Sequence, residues 1–181
     1  MNRLNHSTGI RGVSLIEACV TLSIVSTLTA VALPSLQSSK RVQSLKALSQ
    51  TLMTDLQQAR GDTVLLGAST HFKTSSTAAG SCYVLYAGDV SACGCNADGQ
   101  ASCTTAGRLI RSQWVQRSSG LTMQANVTTL SFHSRQGTVT STGHIDVSSQ
   151  QGETLRHVIA ITGRIRTCSP NGSIAGSPTC A

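Results

Sequence analysis

The side chains in this sequence best suited to chemistry are arginines and cysteines. Near the C-terminus stands Gly163-Arg164-Ile165-Arg166. In an extended segment alternate residues share a face, so Arg164 and Arg166 point one way and Ile165 the other. Two planar guanidinium forks on one face suit phosphate oxygens. Gly163 lets the chain turn, or approach a neighbour closely, just before them. The same residues also have a structural reading: Ile165 packs in the core, and the arginines pair with Asp146 or Glu153 or stay solvated. From Ala106 onward the cations are Arg108, Arg111, Arg117, Arg135, Arg156, Arg164 and Arg166, against only Asp146 and Glu153. That bias suits an anionic partner such as nucleic acid or phospholipid, and it equally suits scattered surface charge. Trp114 and Tyr83 could stack on bases, but two isolated aromatics are expected in the core.

Of the seven cysteines, Cys19 lies in an apolar stretch and behaves there as a small apolar residue. The other six are Cys82, Cys93, Cys95, Cys103, Cys168 and Cys180. An even count in an exported domain reads as disulfides. Closing Cys168 to Cys180 makes a ring of about 13 residues, which stabilises by roughly 3 kcal/mol in the chain-entropy model. Cys93 and Cys95 are too close in sequence for an easy mutual bridge. The remaining pairings are Cys82–Cys93 with Cys95–Cys103, or Cys82–Cys95 with Cys93–Cys103. Cys93, Cys95, Cys103 and a histidine have the ligand types for zinc but not the usual C-x₂-C spacing, so no metal and no cofactor are expected. His71, His133, His144 and His157 are scattered, without a nucleophile elbow or a metalloprotease helix motif. They are expected at the surface or half-buried, and an enzyme is not expected.

These groups must be positioned by the rest of the chain, and one stretch organises it. Residues 13–36 are mostly apolar with a single charge, Glu17. That is long enough to cross a bilayer as a helix. Arg3 and Arg11 lie upstream with no acid, which leaves the N-terminus in the cytoplasm and the body outside. Three readings compete: a secretory signal cut after Ala30-Val31-Ala32, a plain signal anchor, or a segment in which Glu17 has a purpose. A carboxylate inside a span costs about 2.5–3.5 kcal/mol and so calls for a partner.

After Pro34 the stripe Val42, Leu45, Leu48, Leu52, Leu56 and Ala59 predicts that the helix continues to about residue 66, bent near Pro34, with Gly67 as its stop. Lys40, Arg41, Lys46, Asp55 and Gln57 take positions off the stripe. Beyond Gly67, short alternating runs predict strands over 70–74, 82–86, 109–116, 121–124, 129–133, 142–147 and 155–162. Residues 88–107 and the tail 169–181 read as irregular. Low aromatic content (3%) and low charge (12%) also favour a β-rich extracytoplasmic body. The predicted fold class is α+β: one long helix packed on an antiparallel β body.

Gly12, then Val13-Ser14-Leu15-Ile16-Glu17, then an apolar helix carrying Pro34, resembles the type IV prepilin signature. The resemblance implies a leader over 1–12, cleavage after Gly12 by a prepilin peptidase, and methylation of the new N-terminus at Val13. Residues 13–36 would then be the transmembrane and filament-core helix, 37–67 its amphipathic second half, and 68–181 a periplasmic head. Glu17 would neutralise the terminal ammonium of a neighbouring subunit, where an unpaired buried charge is costly. Pro34 falls where pilins commonly carry a kinking proline.

Leu52, Asp55, Leu56, Gln57, Ala59 and Arg60 resemble the late-helix pattern of the GspH/FimT group of minor pilins and pseudopilins. Gly163-Arg164-Ile165-Arg166 resembles that group's Gly-Arg-x-Arg ending. The resemblance implies two β-sheets beside the helix and an inner-membrane-anchored subunit of a type IV pilus or a type II secretion pseudopilus. Its partners would be other pilin or pseudopilin subunits. In the DNA-uptake minor pilins that this ending resembles, the motif binds DNA, and the disulfide tail beside it is similar. For this chain the resemblance implies non-specific contact with double-stranded DNA through Gly163, Arg164, Ile165 and Arg166. A subunit acting only in protein export, without DNA, is the other reading.

Overall fold

The structure is a computed structural model that describes residues 12–180. The expected leader, apart from Gly12, lies outside the described residues. The chain divides into two compact units, one ending at Ser39 and one beginning at Lys40. A single helix, α1, spans Leu15–Leu66 and contributes to both.

In the first unit α1 exposes its large apolar side chains, among them Ile16, Leu22, Leu28 and Leu36. Its hydroxyls bond back to the helix itself. Thr21 Oγ1 donates to Ala18 O at 2.9 Å, Ser23 Oγ to Val20 O at 2.8 Å and Thr29 Oγ1 to Val25 O at 2.7 Å. Such back-bonding satisfies these hydroxyls without any partner outside the helix. The most apolar 18-residue window has mean hydropathy 1.9 with none of it buried, so the helix is long and apolar enough to cross a membrane. Pro34 lies inside the helix and withholds one N–H from its ladder.

In the second unit α1 buries Leu45, Ser49, Leu52, Asp55, Leu56, Ala59 and Thr63. Those positions recur every three or four residues, which makes one helical face. Gly67 then takes φ 65°, the left-handed conformation that ends a helix.

Among the described residues ten strands follow, in three antiparallel sheets. In chain order they are β1 (Thr70–Ser76), β2 (Gly80–Gly88), β3 (Cys93–Cys95), β4 (Ala101–Cys103), β5 (Gly107–Gln116), β6 (Leu121–Ala125), β7 (Thr129–Phe132), β8 (Gly143–Ser149), β9 (Thr154–Ile159) and β10 (Ile165–Cys168). One sheet has the order β5-β2-β1-β7, the second β10-β9-β8-β6, and β3 and β4 form a small hairpin. The inner faces of the two larger sheets meet α1 in one core that includes Leu52, Leu56, Phe72, Tyr83, Phe132, Ile145 and Ile159. This is the α+β, pilin-like architecture that the sequence predicts.

Three expectations are corrected. Residues 88–107 hold the β3–β4 hairpin, which three-residue strands of Cys, Gly, Ala and Ser cannot announce by alternation. The strand expected over 155–162 stops at Ile159, because Gly163 takes φ 75° and turns the chain into β10. Asp55, expected off the stripe, lies within it. It is three residues after Leu52 and four before Ala59, and spacing rather than polarity decides its face.

Asp55 is compensated there. Tyr83 Oη donates to its Oδ2 at 2.5 Å, and Arg111 Nη1 stands 3.0 Å from Oδ1. Burial, and then the bond to Asp55, raises the Tyr83 pKa above the usual phenol value. One polar group on α1 is thereby tied to two strands of the first sheet.

Candidate functional site

The Gly163 turn is built by close approach. An added Cβ at Gly163 would lie 1.9 Å from Gly137 O and 2.8 Å from Arg60 Nε. No side chain fits in that space, so glycine is required by sterics as well as by its positive φ. Arg60, near the end of α1, donates from Nε to Gly137 O at 3.2 Å and from Nη2 to Thr162 O at 3.3 Å. The two segments singled out by pattern, the late helix ending in Arg60 and the Gly163–Arg166 run, therefore touch each other. Spacing along the chain gives no sign of this contact, since 102 residues separate Arg60 from Thr162.

Downstream of the turn, Arg164 and Arg166 are exposed. Ile165 is half-buried against the core. This is the alternation expected of an extended strand. An open groove of about 410 Å³ lies beside it, lined by Gln57, Arg60, Gly61, Val64, Gly163, Arg164 and Ile165.

The acids named as partners in the structural reading are taken by other cations. Asp146 holds Arg156 through two bonds of 2.7 Å, and Glu153 lies 3.6 Å from Arg41. Among the described residues, neither Arg164 nor Arg166 has an acidic partner within 4.0 Å. Arg117 is engaged by the carbonyls of Ala78 and Thr77. The free guanidinium groups are thus a subset of the basic residues counted in the sequence.

Behind β10 the tail is held. The structure joins Cys168 to Cys180, and Ile174 within that ring is 2% exposed in the main core. Ser169 N donates to Pro178 O at 2.8 Å, and Lys46 Nζ reaches Ala175 O at 3.2 Å. The segment read as irregular is therefore anchored at both ends and in the middle.

Of the two open cysteine pairings, the structure has Cys82–Cys95 with Cys93–Cys103. Cys93 and Cys103 are directly opposite across the hairpin. Trp114 packs on this hairpin and covers Gly99, while Tyr83 is fully buried.

The histidines depart from expectation. His133 is exposed and His144 half-buried, but His71 and His157 are buried. His71 bonds Ser131 Oγ at 2.7 Å and Gly88 O at 2.9 Å. His157 bonds Ser49 Oγ at 2.9 Å and Thr167 Oγ1 at 2.9 Å. Strand alternation placed His157 with Ile159, and the hydroxyls that satisfy its ring come from α1 and β10. No group of three His, Cys, Asp or Glu side chains among the described residues could hold a metal ion.

Burial pushes the His157 pKa down to about 4. The unfolded ring titrates near 6.5. Below that value the unfolded chain binds a proton that the folded chain refuses, so stability falls with pH between about 6.5 and 4. The stabilisation is fully present above pH 6.5. The shift corresponds to about 3 kcal/mol. Urea midpoints of His157→Asn should therefore show a much shallower decline over this range than the parent. An equal decline in both would assign the acid sensitivity to other groups.

The family model described as type II transport protein GspH matches residues 48–163. The match begins within α1 and ends at Gly163, so the apolar first half and Arg164–Arg166 lie outside it. No curated protein matches the chain. The fold is similar to the type IV minor pilin FimU of Pseudomonas aeruginosa, with TM-score 0.51 and 18% identity, covering 73% of this chain and 96% of that one. The minor pseudopilin EpsH from the type 2 secretion system of Vibrio cholerae aligns with TM-score 0.48 and 14% identity, covering 69% of this chain and 96% of that one. With well over half of its length matched by the family model, and with a fold of one long helix on antiparallel sheets like that of the minor pilin FimU, the chain belongs to the GspH family of type II transport proteins.

Proposed function

We propose that this chain is an inner-membrane-anchored filament subunit, with its head in the periplasm, that contacts DNA non-specifically through Arg164 and Arg166. The observation that carries the DNA reading is the pair itself. Two exposed guanidinium groups flank a packed Ile165, and no carboxylate among the described residues neutralises them. The strand that carries them lies between the Gly163 turn and the Cys168–Cys180 ring, which hold its backbone in place. Such a pair suits phosphate oxygens and carries little base discrimination.

The anchor reading rests on the exposed apolar half of α1, and cleavage after Gly12 with methylation at Val13 follows from the prepilin-like signature. The filament is a type IV pilus or a type II secretion pseudopilus. In the second setting the same arginines would serve subunit contacts alone.

The test is a fluorescence titration of the full chain in neutral detergent with short duplexes at several salt concentrations. Each phosphate neutralised contributes about 0.9 to the slope of log K against log salt. Arg164→Gln with Arg166→Gln should flatten the slope by about 1.8. Secondary structure should be unchanged, because Ile165 and not the arginines packs inward. Identical binding by parent and double variant would leave a subunit whose C-terminal arginines have no part in DNA contact.

A further inference from the structure

The loop joining β7 to β8 carries another exposed cation, Arg135. The loop is closed on itself: Gly137 N donates to His133 O at 2.9 Å, and His133 N to Thr138 O at 2.8 Å. It is also fastened to the β9–β10 turn in three ways. Val139 N donates to Ile161 O at 3.0 Å, Arg60 bonds a carbonyl on each side, and Gly163 admits Gly137 O where any side chain would collide. The loop and the turn therefore form one block, pinned by a guanidinium from α1.

Arg135 is two residues from Gly137, and Arg164 is one from Gly163. At about 3.8 Å for each Cα step, and with Gly163 packed on Gly137 O, the two arginines start within about 17 Å of each other. Neither has an acidic partner among the described residues, and neither does Arg60. Elsewhere in the second unit Arg41, Arg111 and Arg156 are ion-paired. Arg135, Arg164 and Arg166 thus stand without an acidic partner on this block, as Arg108 does on β5 in the other sheet.

We propose that the β7–β8 loop is a second arm of the DNA-contact surface, with Arg135 taking a phosphate of the same duplex that Arg164 engages and Arg60 acting as the positioning residue that holds the two arms together. This rests on the DNA reading above. A duplex carries one charge for about each 1.7 Å of its axis, so two long side chains anchored this close reach separate phosphates at once. Contact from two arms also fixes how the duplex crosses the head, which a single strand of arginines would leave free to rotate.

The experiment compares the full chain with Arg135→Gln, with Arg164→Gln/Arg166→Gln, and with Arg108→Gln. Arg108 is exposed, lacks an acidic partner among the described residues, and lies on β5 in the other sheet. It controls for net charge. All are titrated in neutral detergent with the same short duplex across a salt series. Arg135→Gln should flatten the salt slope by about 0.9, and Arg108→Gln should leave it unchanged. If the double variant weakens binding while Arg135→Gln matches the parent, the second arm is overturned and the Arg164–Arg166 reading stands. If Arg108→Gln flattens the slope as much as Arg135→Gln, net charge accounts for the effect and the arm is again overturned. If no variant differs from the parent, both readings fall together.

Discussion

Asp55→Ala should lower the stability of the second unit by about 1–3 kcal/mol, the cost of leaving a buried hydrogen-bonding group without its partner. The cost has named sources. Tyr83 is fully buried and its hydroxyl would lose its acceptor. Arg111 would lose its carboxylate, but its side chain is 49% exposed and water replaces part of that loss. Tyr83→Phe leaves the opposite problem, a carboxylate 1% exposed that keeps only Arg111. The double variant Asp55→Ala/Tyr83→Phe should cost clearly less than the sum of the singles, because each single variant orphans the partner that the double removes. Urea unfolding at pH 7 measures all three. A single variant within about 0.5 kcal/mol of the parent would show that the pair adds nothing beyond packing, since surface changes commonly fall in that range. The same site fixes an alkaline limit. Folded Tyr83 holds its proton above the usual value near 10, so stability is present below pH 10 and is lost as the unfolded chain ionises above it.

Glu17→Ala should remove the subunit from filaments while leaving it in the membrane. Glu17 is the acid of the first helical turn, in the half of α1 whose apolar side chains are exposed. Insertion should be as good or better without it, because a charge has left the bilayer. Docking should fail, because the terminal ammonium of the neighbouring subunit would enter an apolar filament core unpaired. The effective penalty for such a charge is several kcal/mol, which corresponds to a loss of incorporation of about a hundredfold or more. If the chain is cut after Gly12 as proposed, the ammonium at Val13 exists only after cleavage, so Gly12→Val should give the same filament defect by another route and should leave a longer precursor in the membrane fraction. Immunoblots of sheared filaments and of membranes measure both. Normal incorporation of Glu17→Ala would count against the pairing, and a mature terminus at Leu33 would assign the stretch to a secretory signal.

The parts of the fold written in short-range periodicity were legible from the sequence. Leu45, Leu52, Leu56 and Ala59 recur at helical spacing and are buried, and the alternation of β8 and β9 appears in their burial. Asp55 and Ser49 were not legible as core, because their side chains are polar and their partners lie on distant strands. His157 had the right parity for the core, yet nothing in the sequence showed that Ser49 and Thr167 would satisfy both ring nitrogens. The β3–β4 hairpin was hidden because its strands are too short to alternate. The sequence narrowed its cysteines to two pairings, and the choice depended on which residues face each other across the hairpin. At the candidate site, Gly163–Arg166 stood out by residue type. The clamp by Arg60, and the neighbouring loop with Arg135, are products of tertiary contact alone.

The polar residues on the buried face of α1 have a mechanical consequence. Ser49 is keyed to β9 through His157, Asp55 to β2 and β5 through Tyr83 and Arg111, and Thr63 to β1 through Thr70. A purely apolar stripe could creep along the sheets by one turn, about 5.4 Å, and find new leucine-sized sites. These keys forbid that, since a one-turn slip would strand several buried polar groups together. A load applied along the helix axis is therefore carried into both large sheets at once, and the head behaves under traction as a cleat rather than a sliding sleeve.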